Sequence, residues 1–129
     1  MPEADALRAV REAKYVQLTT FKRDGTAVPT PVWSVEDAGA LLVWTARESG
    51  KVKRIRRSGE VTVAPCTMRG KVTGATVSGR AELLDTAGTI HVQDALGRKY
   101  GWLGRLFVRR AVRRGGQDAA AGIRITLTP

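Results

Sequence analysis

Apolar and polar positions alternate most cleanly over Ala75 to Leu84. Val77, Gly79, Ala81 and Leu83 fall on one side, and Thr76, Ser78, Arg80 and Glu82 on the other. A period of two is that of a strand with one buried face. The same pattern predicts a strand over Tyr15 to Phe21, with Val16 and Leu18 on one face. Arg23-Asp24-Gly25-Thr26 then signals a hairpin, because Asp-Gly supplies the positive φ that a tight turn needs. Ala27 to Val35 is the returning strand, Asp37-Ala38-Gly39 turns again, and Ala40 to Thr45 is the third strand. Glu60 to Thr67 and Ala121 to Thr128 complete the set. Four stretches read as helices. Ala6 to Lys14 places Leu7, Val10 and Ala13 on one side. Ser49 caps a short basic helix that Gly59 ends. Thr86 caps a helix to about Leu96. A last helix over Tyr100 to Arg114 stops at Gly115-Gly116.

Six strands, three of them in succession with short turns, exclude the regular strand–helix alternation of a doubly wound sheet. The expectation is mainly β with α: a six-stranded antiparallel barrel with short flanking helices, formed as one domain over residues 1–129. The chain is 129 residues long, an ordinary size for one domain. No apolar run approaches the roughly 18 residues that span a bilayer. The opening Met1-Pro2-Glu3-Ala4-Asp5 does not resemble a secretory signal. Cys66 is the single cysteine, so no intrachain disulfide forms, which fits a reducing cytoplasm. His91 is the single histidine, so a His/Cys metal site lacks ligands and no metal is expected.

Charge changes the picture. The net charge is +10, and it is clustered: residues 47–57 carry six of the 22 basic side chains, and residues 98–114 carry seven more. The first cluster follows a strand and opens a helix at Ser49. Backbone N–H groups and the helix dipole there attract anions, phosphate above all, and Lys51, Lys53 and Arg54 add full charges. The same residues also read as a solvated basic helix with Val52 and Ile55 facing the core.

Pro29 and Pro31 sit two apart in the second strand and cannot donate ladder hydrogen bonds. Either this is an edge strand, or its backbone faces a flat ligand, with Thr30, Val32 and Trp33 beside it. Trp33 and Trp44 read equally as core residues.

Several segments in order resemble one family. Phe21-Lys22-Arg23-Asp24-Gly25-Thr26-Ala27-Val28-Pro29-Thr30-Pro31-Val32-Trp33 resembles the opening hairpin of the pyridoxamine 5′-phosphate oxidase-like split-barrel flavoproteins. Leu42-Val43-Trp44-Thr45 and Ser49-Gly50-Lys51-Val52-Lys53-Arg54-Ile55 are similar to that family's third strand and phosphate-binding helix. Val61-Thr62-Val63-Ala64-Pro65-Cys66-Thr67-Met68-Arg69-Gly70 and Lys99-Tyr100-Gly101-Trp102 resemble the branch that uses coenzyme F420, a deazaflavin, in place of FMN.

The resemblance implies a split β-barrel homodimer with cofactor grooves between subunits, and an F420-dependent oxidoreductase that moves a hydride to or from a small organic substrate. FMN is the alternative cofactor, since both share the ribityl phosphate; haem is a remoter choice. By position, Lys51 is the implied contact to the cofactor phosphate, with Ser49, Lys53 and Arg54 beside it. Thr45 lies at the strand end that holds the cofactor's side chain. The backbone of Thr30, Pro31 and Val32 lines the ring system, and Pro65 and Cys66 fall on the neighbouring strand. Cys66 reads first as a small packing residue. No catalytic residue is selected: Tyr15, Tyr100 and His91 are the candidate proton donors. The family oxidase's C-terminal extension for pyridoxal has no counterpart here, so pyridoxamine oxidation is not expected.

The helix Leu103 to Arg114 keeps another class in view. Leu103, Leu106, Phe107 and Ala111 form an apolar stripe, and Arg105, Arg109 and Arg113 follow at i, i+4 spacing. Such like charges repel unless an anion or solvent relieves them. The helix either packs on the barrel with its arginines in water, or makes a peripheral contact with anionic membrane or phosphates. Nucleic acid is not the expected partner: aromatic residues are 5% of the chain, too few for a stacking platform.

Overall fold

The computed structural model describes residues 2–116 and 120–128. Helix α1 covers Pro2–Glu12, followed by strands β1 (Tyr15–Phe21), β2 (Ala27–Trp33), β3 (Val35–Asp37) and β4 (Ala40–Ala46). Helix α2 (Gly50–Arg57) leads to β5 (Glu60–Cys66) and β6 (Val77–Leu83). Helix α3 (Thr86–Gly115) and β7 (Ala120–Thr128) complete the described chain.

Among the described residues the strands form one seven-stranded sheet in the order β2-β1-β5-β6-β7-β4-β3. Every neighbouring pair is antiparallel. The two edges of this sheet, β2 and β3, are consecutive in the chain and joined by one residue, Ser34, which is fully buried. A single residue reaches from one edge to the other only if the sheet curls until its edges meet. Among the described residues no ladder pairs β2 with β3, so the curl is a half-open barrel.

The expectation of six strands is therefore corrected to seven. The predicted second strand, Ala27 to Val35, breaks at Ser34 and changes sheet edge there. Neither glycine nor proline marks the corner. Helix α3 is two shorter helices that run on across a kink, in line with the two helical stretches predicted there. It stays helical through the predicted gap between Leu96 and Tyr100 and breaks only at Gly101, whose φ of 64° and ψ of −140° are open to glycine alone. Its N-cap is Asp85, not Thr86. The Asp85 carboxylate accepts from the Gly88 N–H at 2.8 Å, as an N-cap acid should.

The core has two layers. Inside the curl, Val16, Leu18, Leu41, Val43, Val61, Val63, Ile123 and Ile125 pack with Val10 of α1 and Ile55 of α2. Outside it, Leu42 and Trp44 meet Val92, Ala95 and Leu96 of α3. Strand β4 serves both layers, which is why Ala40–Ala46 reads as a continuous apolar run rather than an alternating one. Each fully buried leucine or isoleucine contributes about 1.5–3 kcal/mol relative to an exposed one.

Candidate functional site

The proline strand β2 is an edge: it pairs with β1 alone, with Pro29 opposite Thr19 and Pro31 opposite Gln17. Period two puts Pro29 and Pro31 on the exposed side and turns Thr30 and Val32 inward. Behind that inward side lies a cavity of about 590 Å³, within the range of small-molecule and cofactor sites.

Its walls come from distant parts of the chain. Thr30, Pro31, Val32 and Trp33 of β2 form one side, and Trp44, Thr45 and Ala46 of β4 another. Leu96, Phe107, Ala111 and Arg114 of α3 close a third, with Tyr15, Lys51, Met68 and Ala120 between. The aromatic rings form a chain along it. Tyr15 lies 6.4 Å from Trp33, Trp33 lies 5.3 Å from Phe107, and Phe107 meets Trp44 edge-on at 5.7 Å. Trp33 and Trp44 thus line the cavity while also packing on the outer core layer. The Trp44 indole N–H is buried with no hydrogen-bond partner among the described residues. A buried donor left unmade is costly, and it belongs to a residue of the cavity wall.

Lys51 stands at the cationic end, one residue into α2. Ser49 sets that position: its hydroxyl accepts from the Val52 N–H at 3.4 Å and caps the helix. Lys51 is half-buried and forms no ion pair among the described residues. Burial first, then the nearby Arg54 charge, pushes its pKa below the ordinary lysine value. Both effects penalise the ammonium, and an anion beside it acts against them by favouring the charged form.

The predicted residues divide into two groups. Thr30, Pro31, Val32, Thr45 and Lys51 meet at the one cavity. Ser49, Lys53, Arg54, Pro65 and Cys66 lie outside its lining. Ser49 is spent on the cap, and Lys53 points to solvent. Arg54 turns to β1, where its Nε donates to the buried Thr20 hydroxyl at 2.6 Å. Its guanidinium crosses Gly50 so closely that a Cβ there would come within 2.7 Å of it. Pro65 and Cys66 are buried beneath residues 67–74: the Thr73 N–H donates to the Pro65 carbonyl at 2.9 Å, and Val72 bridges to Cys66. Burial pushes the Cys66 thiol pKa up, which makes it a poor nucleophile.

Of the three candidate proton donors, only Tyr15 lines the cavity. His91 is exposed and sits 3.1 Å from the Asp37 carboxylate. The Tyr100 hydroxyl lies 2.6 Å from the Lys14 carbonyl and 2.8 Å from that of Ser34, and accepts from the Ser34 N–H at 3.3 Å. Sequence reading missed Met68, Phe107 and Arg114 as wall residues. Only the folded-back second half of α3 and the loop over β5 bring them there.

A family model described as pyridoxamine 5′-phosphate oxidase matches residues 3–124. Among curated proteins none matches the sequence. Solved structures share the fold at low identity. A conserved hypothetical protein from Mycobacterium tuberculosis is 21% identical, with a TM-score of 0.72 over 100% of this chain and 82% of its own. A haem storage protein from Vibrio cholerae is 12% identical, with a TM-score of 0.69 over 99% of this chain and 91% of its own. A protein described as an F420 reductase is 14% identical, with a TM-score of 0.57 over 95% of this chain and 92% of its own. The family match spans α1, the whole curl as far as β7 and the cavity it encloses: the chain belongs to the pyridoxamine 5′-phosphate oxidase family, which includes oxidoreductases that bind flavin-type cofactors.

Proposed function

We propose that this protein is a coenzyme F420-dependent oxidoreductase acting on a small organic substrate. The observation that carries the reading is Lys51: a half-buried ammonium with no ion pair among the described residues, at the start of a helix, on a cavity walled mostly by apolar side chains that include the rings of Trp33, Trp44 and Phe107. A ligand with a phosphate at one end and a planar ring at the other fits that arrangement. The F420 reductase among the structural neighbours supports the choice of cofactor.

When bound, the deazaflavin supplies the hydride chemistry. The chain's own residues do the rest. Lys51 holds the phosphate, with the first turn of α2 directing its N–H groups the same way. Thr45 closes the strand end beside it. Thr30, Pro31 and Val32 form the wall against the ring, where proline leaves no N–H to compete. Trp44 Nε1 is free to donate to a ring acceptor. Trp33, Phe107 and Met68 exclude water. Tyr15 is the one protic side chain among the three candidates that reaches the cavity.

On α3, next to the wall it gives the cavity, Trp102, Leu103, Leu106 and Phe107 expose large apolar surface. That surface supports the reading of a homodimer in which a second copy completes the groove. A haem role is not favoured, because His91 lies away from the cavity and faces Asp37. On the described residues no helix is long and apolar enough to cross a membrane. A cytoplasmic place is part of the proposal.

The test is parallel titration with coenzyme F420 and FMN, followed by fluorescence. The expected result is saturable, tighter binding of F420. Tighter FMN binding transfers the reading to an FMN enzyme on the same Lys51 site.

A further inference from the structure

We propose that the groove between the two halves of α3 is a second anion-binding site, built for a phosphate group and separate from the cavity that Lys51 serves. The break at Gly101 folds residues 102–115 back along residues 86–100. Between them lies a groove of about 470 Å³. Gln93, Asp94 and Arg98 line it from the first half, and Arg105 and Arg109 from the second.

Two independent features point to an anion. The first is charge without partners. Among the described residues, Arg98, Arg105 and Arg109 form no ion pair and no side-chain hydrogen bond. Arg105 and Arg109 stand four residues apart on one helix, a spacing at which like charges repel. Arg98 adds a third guanidinium from across the groove. Asp94 is the one acid in the lining and bridges to none of them. The second feature is Gln93, whose amide Nε2 is buried with no acceptor. A buried donor left unmade is costly, and because Gln93 is one of the residues lining the groove, a turn of its side chain offers that donor to an oxyanion there.

The backbone supports the arrangement. Gly97 faces the stem of Arg105, and a Cβ there would come within 3.1 Å of Arg105 Cγ. Glycine at this position lets the arginine stem lie flat against the first half, which fixes one wall of the groove. Planar guanidinium forks match the oxygens of a phosphate in pairs, which a scattered set of lysines would not do. The ligand class is a phosphate ester or pyrophosphate, free in solution or carried as a lipid headgroup.

The experiment uses the full chain carrying Lys51→Ala and Arg114→Ala, so that both cations of the cavity are silent. Calorimetric titration with inorganic pyrophosphate is expected to show one saturable site. Arg105→Gln and Arg109→Gln should each weaken it about tenfold or more. Gln93→Leu should also weaken it, without adding or removing charge. Arg56→Gln removes the same charge from an exposed position on α2 and should leave it unchanged. Sedimentation with phosphatidylcholine vesicles, with and without phosphatidic acid, separates the sources. Binding to the acidic vesicles alone, lost in Arg105→Gln, assigns a lipid headgroup; binding of pyrophosphate assigns a soluble phosphate. Binding of neither, or equal losses in Arg56→Gln and Arg105→Gln, overturns the site.

Discussion

Tyr100 and Trp33 stack face to face, with ring centroids 4.4 Å apart and planes within 10°. Trp33 is the last residue of β2 and a wall of the cavity. Tyr100 is the last residue before the break in α3. One aromatic pair therefore ties the edge of the sheet to the point where the helix folds back. Lys99 reinforces it: its ammonium donates to the Ser34 carbonyl at 2.7 Å and to that of Ala13 at 2.8 Å. The Lys99-Tyr100-Gly101-Trp102 segment thus works as a clamp on the Ser34 corner.

Tyr100→Phe keeps the stack and removes the hydroxyl. The buried Ser34 N–H then loses its acceptor, while the Ser34 carbonyl keeps Lys99. Stability should fall by about 1–3 kcal/mol. Chemical denaturation checks this; an unchanged midpoint would show that the hydroxyl adds nothing to the corner.

The same hydroxyl sets a pH dependence. Burial is the main cause that pushes the Tyr100 pKa from 10.0 to about 12, with the Ser34 hydrogen bond acting the other way. The folded state thus favours the protonated phenol. This contribution is fully present below pH 10 and is lost as pH rises from 10 toward 12. Stability measured across that window should drop more steeply in the wild type than in Tyr100→Phe.

Gly101→Ala meets no steric obstacle, since a Cβ there has nothing within 4 Å. Its cost is conformational alone, because φ of 64° with ψ of −140° suits only glycine. A loss of about 1–3 kcal/mol is expected in thermal or chemical unfolding. A neutral result would mean that the break moves to a neighbour.

Lys51→Ala should weaken cofactor binding by about 1.5–3 kcal/mol, as for a hydrogen bond to a charged group. Arg113→Ala, which lies outside the cavity lining, should change it far less. Fluorescence titration of both variants decides the matter. Equal losses would mean that overall charge holds the ligand.

Sedimentation of the protein should give about twice 13.9 kDa, with or without cofactor. A monomer that still binds the deazaflavin tightly would place the whole groove within one chain.

Most of the sheet was legible because its turns carry chemical signals. Asp24 accepts from the Thr26 N–H at 2.9 Å, and Gly25 takes a φ of 89°, as Asp-Gly implied. Ser49 capped its helix as read. The β2–β3 corner was hidden because Ser34 has no unusual backbone signature; its position is set by Lys99 and Tyr100, 65 and 66 residues away. The cavity was half legible. Positions next to strand ends and helix starts follow from local order, so Thr45 and Lys51 could be found. Phe107, Met68 and Arg114 arrive through the fold of α3 and the loop over β5, which no local spacing encodes. Arg54 shows the converse: a cation at the right helix position, drawn off by a buried threonine on another strand.

Strand β7 lies between β6 and β4 although it is the last described element of the chain. Before it arrives, β2-β1-β5-β6 is one ribbon and β4-β3 is a separate hairpin, with no ladder of hydrogen bonds between them. Neither fragment encloses the core, and each shows an unpaired edge to its surroundings. The closing pairings join residues separated by up to 84 positions, as Leu41 with Ile125, so assembly is dominated by distant contacts and is slow for a chain of this size. During synthesis the core cannot be sealed until β7 has left the ribosome. The interval before then is when this basic chain is most open to aggregation and to chaperones.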